Sequence, residues 1–221
     1  MNQPNYKELA NELANIMGGE ISFLEVDREK AARDTSLFYV KPEMVAYPKR
    51  ADDIAKLLAF VSEQKKKGFD IAVSVRSAGT CMTGGSLCQS IVIDTTKYLN
   101  RITSVTEDFA SAEPGVYYRD FEKETLKAGW LMPSYPASRE LAAIGGIVSN
   151  NSGGEKTLVY GKTENYVDSL DVVYANGDRD LLHAFSAVDL EEKMKEPTDA
   201  GRIHREMYEL ITTNYDTIMK A

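Results

Sequence analysis

The stretch Ile71-Ala-Val-Ser-Val-Arg-Ser-Ala-Gly-Thr-Cys-Met-Thr-Gly-Gly-Ser86 restricts this chain more than any other. Its first half is a short, apolar, β-branched run that reads as a buried strand. The strand runs directly into a loop of small residues, Arg76 to Ser86, with three glycines and no bulky side chain before Met82. Small residues let a ligand approach the backbone closely, and glycine permits the positive-φ turns that aim several N–H groups at one anion. Ser90-Ile-Val-Ile-Asp94 reads as another apolar strand, so sheet holds the loop at both ends. A loop anchored in this way suits a phosphate or pyrophosphate. Two familiar phosphate loops do not fit. A Walker A loop needs Lys after its second glycine, where this chain has Gly85 and Ser86 after Gly84. A Rossmann fingerprint opens a helix, and this loop leads to a strand. On this stretch alone, a glycine-rich surface hairpin stands as the alternative.

A second stretch downstream is also small, amide-rich and nearly free of charge: Pro133-Ser-Tyr-Pro-Ala-Ser138, then Ala142-Ala-Ile-Gly-Gly-Ile-Val-Ser-Asn-Asn-Ser-Gly-Gly154. It could wrap the other side of the same ligand. Together the two stretches resemble the FAD-binding domain of the p-cresol methylhydroxylase and vanillyl-alcohol oxidase superfamily. The resemblance is carried by Arg76-Ser-Ala-Gly-Thr80 with Gly84-Gly85, by the Pro-x-x-Pro-x-Ser segment, by Ile144-Gly-Gly146 and by Tyr160-Gly-Lys-Thr163. Val172-Val-Tyr-Ala-Asn-Gly177 fits as a closing strand and turn. Within the family the chain looks most like D-lactate and related D-2-hydroxyacid dehydrogenases, through Asn150-Asn-Ser-Gly153 and the segment after residue 177.

The resemblance implies an α+β fold: a two-lobed FAD-binding domain, with a small β-α-β lobe and a larger mixed lobe carrying antiparallel sheet. Residues 1–41 would be an N-terminal helix and arm, 42–98 the first lobe, and 99–221 the second, incomplete and ending in a helical tail. The backbone amides of Arg76, Ser77, Ala78, Gly79 and Thr80, with Gly84 and Gly85, would meet the pyrophosphate as a helix N-terminus does, by oriented dipoles. Arg76 has two readings: added charge for the anion, or a strand-end ion pair. The resemblance carries Ser138, Ala143, Gly146, Asn150, Asn151 and Gly153 over as the second wall, with tight strand packing the other reading of Gly145-Gly146. Some members attach the flavin through a His in the loop where this chain has Thr80, so the implied FAD is non-covalent. His183 and His204 match no such motif and read as surface residues.

No catalytic constellation is visible in the sequence. In the resembling family the substrate groups, and often a metal-binding His set, come from a cap domain downstream. The expectation is therefore the FAD-binding portion of an oxidoreductase acting on a 2-hydroxyacid such as D-lactate or glycolate, by hydride transfer to flavin N5. The small-molecule substrate would be met through a missing cap domain or partner subunit, with an iron–sulfur module as electron acceptor. Two rivals stay open: a reductase of UDP-sugar enol ethers, and a non-catalytic flavin-binding scaffold of a split enzyme.

Composition narrows the classes further. A net charge of −8 with no basic run argues against nucleic-acid binding. Lys65-Lys-Lys67 is the one basic cluster, and it closes a predicted helix, where cations suit the dipole. Cys81 and Cys88 give no metal spacing with the two histidines. Without a secretory signal, free thiols are expected, with a Cys81–Cys88 disulfide the alternative; this and the lack of any apolar run near the ~18 residues of a membrane span point to the cytoplasm, with peripheral membrane contact as a variant.

Hydrophobic spacing predicts helices over 5–17, 51–67 and 117–128, each closed by glycine, and a helical tail from Asp189. Strands are expected at 44–47, 71–75, 90–94, 102–106 and 109–112, and over 165–175 ending in the Asn176-Gly177 turn. Residues 20–41 read as mixed, with 34–39 an irregular arm, and 130–154 as a long loop of the kind that usually carries function.

Overall fold

The computed structural model describes residues 2–220, and its centre is a four-stranded sheet in the order β1-β2-β4-β3. Strand β1 (Glu20–Ser22) runs antiparallel to β2 (Met44–Tyr47). Strand β4 (Ile91–Asp94) lies parallel to both β2 and β3 (Val73–Arg76). The apolar runs of β2 and β4 are buried on both faces, as parallel strands require. Met44, Ala46, Ile91 and Ile93 face helices α1 (Tyr6–Ile16) and α3 (Ala51–Lys66), which supply Leu9, Leu13, Leu57 and Val61 to one core. Val45, Tyr47 and Val92 face the opposite side, covered by Ala31 of α2 (Glu25–Ala31).

Asp53 fixes the junction of α1 and α3. Its fully buried carboxylate accepts the N–H groups of Gly18 (2.7 Å), Lys49 (2.9 Å) and Arg50 (3.2 Å). A first-turn acid thus does more than suit the dipole. It also satisfies three backbone donors at two helix ends.

A second core gathers around Tyr118 and Phe121 of α4 (Tyr118–Lys127), with Val116, Tyr135, Ala142 and Ile147. The strands near it form two separate antiparallel ribbons, β5 (Ile102–Val105) with β6 (Ala110–Ala112), and β7 (Ser169–Val173) with β8 (Arg179–His183). Antiparallel sheet was expected in this lobe, and it is present as these ribbons. Among the described residues these ribbons do not hydrogen-bond to each other. The tip of the second ribbon is seated on α3: Gly177, at φ 91°, leaves no room for a Cβ against Ala55 O (2.5 Å) and Ala59. Arg179 bridges Asp52 and Asp171 beside it.

The predicted helices and most strands fall within a few residues of their expected places. Residues 20–41 contain β1 and α2, and the long loop contains α5 (Ile144–Ser149). A short α6 (Thr157–Tyr160) and a 3-10 turn (Thr163–Tyr166) precede β7, and the tail forms α7 (Ala187–Lys195), α8 (Asp199–Thr213) and α9 (Tyr215–Ile218). No described helix is long and apolar enough to cross a membrane. Both cysteines are free.

The second core gives a direct test. The hydroxyl of the fully buried Tyr118 donates to Met132 O at 2.7 Å. Tyr118→Phe leaves that carbonyl unsatisfied and is expected to cost about 1–3 kcal/mol. A thermal melt should fall by several degrees; an unchanged melt would remove this bond from the account.

Candidate cofactor site

The loop between β3 and β4 begins at the carboxyl end of a parallel strand, the usual ligand side of such sheets. β3 and β4 are parallel neighbours joined without a helix, so the chain must run back along the sheet through the small residues. Gly79 sits at φ 73° and Gly84 at φ 80°, conformations that glycine alone adopts without strain. A Cβ at Gly79 would lie 2.1 Å from Arg76 Nη2. A Cβ at Gly84 would meet the ring of Phe38 at 2.9 Å, whereas Gly85 has ordinary room beside Cys81 Sγ at 3.5 Å.

Arg76 turns back beneath its own loop. Its guanidinium is buried under Gly79 and donates to Arg33 O at 2.6 Å. Burial pushes its pKa down, and the carboxylates of Asp94 and Asp34 act against that. The charge lies under the amides as a support, so neither sequence reading of Arg76 describes it fully. Cys81 lies farther along the loop, and a 3.1 Å hydrogen bond with the Thr83 hydroxyl holds its thiol below the usual range.

The second stretch meets the loop at one atom. Pro114 O accepts the Ser77 hydroxyl (2.9 Å) and the Gly145 N–H (2.8 Å). A Cβ on Gly145 would lie 2.5 Å from Pro114 Cβ, so this glycine is a packing residue, though on a helix and not a strand. Its neighbour Gly146 is exposed, and a Cβ there would stand 3.6 Å from Ser77 Cβ. Ala143 is the buried N-cap of α5, and Ser138 O positions that start by accepting Leu141 N–H and Ala142 N–H, both at 2.8 Å.

Asn150, Asn151 and Gly153 lie at the other end of α5. Asn151 takes a left-handed φ of 43°, and its side chain accepts Glu164 N–H at 2.9 Å, which ties α5 to the 3-10 turn. Asn150 Nδ2 reaches only Ser152 Oγ at 3.4 Å, and Gly153 lies tight against Thr157, whose buried hydroxyl has no partner. Beside this end lies an open cavity of about 370 Å³ lined by Val148, Asn151, Asp168, Leu170 and His183. His183 stacks on Phe185 at 4.5 Å, and His204 is bonded to Ala200 O. Sequence reading missed Pro114, taken only as a turn, and Asp34, placed in the irregular arm. Neither carries a local motif, because each acts on residues far along the chain.

The cradle can be tested for fit to a dinucleotide. Among the described residues, the backbone N–H groups of residues 77–80 and of Gly146 donate to no protein acceptor. They belong to half-buried or exposed small residues on two walls that touch at Ser77 and Gly146. A pyrophosphate needs such a set of free amides on a backbone that side chains do not screen.

Comparison with known proteins agrees with this fit. A family model described as "FAD binding domain" matches residues 42–179. The chain belongs to this FAD-binding family. The domain is 30% identical over 181 residues to glycolate oxidase subunit GlcD of Bacillus subtilis (strain 168), covering 78% of this chain and 37% of that protein. It is 26% identical over 219 residues to the D-2-hydroxyglutarate dehydrogenase of Pseudomonas putida, covering 97% of this chain and 21% of that one. The FAD-binding domain thus spans roughly a fifth to a third of the length of these relatives. Its fold matches a solved alkyldihydroxyacetonephosphate synthase with a TM-score of 0.68 at 18% identity, over 82% of this chain and 35% of that one. The two-lobed fold expected from the sequence motifs is the one observed.

Proposed function

We propose that this FAD-binding domain is part of an oxidoreductase that oxidises a D-2-hydroxyacid such as D-lactate or glycolate, with its FAD held non-covalently. The observation that carries this reading is the set of unpartnered amides at 77–80 and 146, brought together by Pro114. These N–H groups would hold the pyrophosphate, with Arg76 charged beneath them. Ser138, Ala143, Asn150, Asn151 and Gly153 would line the wall along the rest of the cofactor. Thr80 offers no nucleophile of the kind that links flavins through His.

Bound flavin supplies the two-electron acceptor that no side chain here provides. The chain's own residues bind and orient it. The names of the glycolate and D-2-hydroxyglutarate relatives support the substrate class. In this reading residues 1–41, 42–98 and 99–221 divide as arm, first lobe and second lobe, and a cap domain or partner subunit supplies the substrate groups. An iron–sulfur module would take the electrons. The free thiols of Cys81 and Cys88 support a cytoplasmic setting.

The test starts with the purified chain. Incubation with FAD and gel filtration should leave a flavin spectrum on the protein, and acid precipitation should release all of the flavin. Flavin that stays with the acid pellet would refute non-covalent binding. Substrate class is read on the assembly that a tagged chain pulls from its own cells: anaerobic D-lactate or glycolate should bleach the flavin. Bleaching by NADPH alone would favour a reductase instead, and a flavin inert to both would favour a scaffold.

A further inference from the structure

The arm of residues 32–40 is a closed loop standing on α2. Val40 N–H bonds Ala32 O at 3.0 Å across its base, and the Tyr39 hydroxyl donates to Glu29 of α2 at 2.7 Å. Two local turns shape it: Asp34 Oδ1 accepts Ser36 N–H at 2.8 Å, and Ser36 Oγ accepts Phe38 N–H at 3.1 Å. The tip is exposed at Leu37, Phe38 and Tyr39 and belongs to none of the buried cores, so it can lift without opening one.

This arm meets the β3–β4 loop at four places. Arg33 O accepts the Arg76 guanidinium at 2.6 Å, and Asp34 accepts the Ser86 hydroxyl at 3.3 Å. Cys81 O accepts both the N–H and the hydroxyl of Thr35, at 3.1 and 2.9 Å. The Phe38 ring lies against Gly84. The contacts thus fall at the start, the middle and the end of the loop. No hydrogen bond of the arm falls on residues 77–80, the stretch whose amides are free.

We propose that residues 33–38 clamp the β3–β4 loop for the cofactor, with Thr35 the central positioning residue. The clamp must be shut for the amides of 77–80 to hold a pyrophosphate, so the proposal rests on the FAD reading above. The composition of the loop is the reason. Small residues with glycines at 79, 84 and 85 pack little and lose much backbone entropy when ordered. An ordered cradle therefore needs outside support. Pro114 gives it at Ser77, and the arm gives it at Arg76 and from Cys81 to Ser86. Coupling of this kind is reciprocal: a clamp that favours bound FAD is itself tightened by FAD.

Chymotrypsin cleavage after Leu37 or Phe38, read by mass spectrometry, tests this, because a segment must detach locally before a protease can cut it. In the FAD-free chain, Thr35→Val keeps the N–H and loses the hydroxyl, and should be cut several-fold faster. Thr35→Ser should be cut at the parent rate. Neither should change the thermal melt, since Thr35 is exposed. Saturating FAD should protect the arm of the parent. Thr35→Val should bind FAD about tenfold more weakly, the worth of one hydrogen bond, and Thr35→Ser as the parent does. A parent chain that takes up no FAD would strike the FAD reading, and the proposal with it. FAD bound by the parent without protecting the arm, or bound equally by Thr35→Val, would overturn the clamp alone. So would cleavage that Thr35→Val leaves unchanged.

Discussion

Gly79→Ala should abolish tight retention of FAD while leaving the fold intact. An L side chain at φ 73° costs about 1–2 kcal/mol from backbone conformation alone. Its Cβ would also lie 2.1 Å from Arg76 Nη2 and 2.3 Å from Arg76 Cζ. The guanidinium cannot easily give way, because it is buried and bonded to Arg33 O. The loop must therefore lift, and the amides of 77–80 move with it. A loss of at least about 100-fold in affinity is expected, equivalent to ~2.7 kcal/mol. Titration of FAD fluorescence reads this directly. Gly85→Ala is the control: it has room beside Cys81 and no positive φ, so it should bind FAD as the parent does. Equal affinity in Gly79→Ala would dismiss the cradle.

Arg76→Met should be the most destabilising single change in the loop. It removes a buried cation whose charge favours the carboxylates of Asp94 and Asp34, leaving Asp94 with Lys30 at 3.6 Å and Asp34 with its Ser36 and Ser86 donors, and it breaks the charged bond to Arg33 O. Loss of a hydrogen bond from a charged group costs about 1.5–3 kcal/mol. In a chain of this size that corresponds to roughly 3–12 °C in the melting temperature. The pH dependence follows from Asp34. Burial raises its pKa, but hydrogen bonds from Ser36 and Ser86 and the charge of Arg76 outweigh burial and bring it below the usual value. A lowered folded-state value stabilises the fold above the unfolded carboxylate range, near 3.9, and that contribution is lost as pH falls through the folded value. Without Arg76 the Asp34 carboxylate protonates more readily, so the variant's deficit should shrink as the pH is lowered into that range. A melt series against pH measures it. A deficit that stays flat across the series would mean the Asp34 charge is not what Arg76 offsets.

The sequence made the sheet and its loop legible because their signals are local. The continuous apolar runs at 44–47 and 91–93, the glycine after the helices predicted at 5–17, 51–67 and 117–128, and the Asn176-Gly177 turn each depend on neighbouring residues. The small-residue character of the second stretch was also legible, and the structure brings its Gly145 and Gly146 beside Ser77. What the sequence hid acts across distance. Helix α5 was invisible because Ile144-Gly-Gly-Ile-Val-Ser149 has poor helix propensity and owes its start to the Pro114 and Val116 carbonyls. The inward turn of Arg76 was hidden for the same reason, since Arg33 lies far upstream. That the antiparallel strands divide into two separate ribbons was not legible, because strand pairing is a property of partners and not of the strands themselves.

The Pro114 carbonyl has a consequence for cofactor entry. Both walls bond to this one oxygen, and the next residue, Gly115, is wedged against Thr95 O and Leu99 O just past β4. Proline has a fixed φ, so the acceptor sits on one of the stiffest units of the backbone. The width of the cradle is therefore a single internal coordinate, gauged from the sheet. A ligand that draws the walls together must tighten the β5–β6 ribbon that leads into Pro114. Amide exchange in that ribbon then becomes a remote reporter of an occupied cleft.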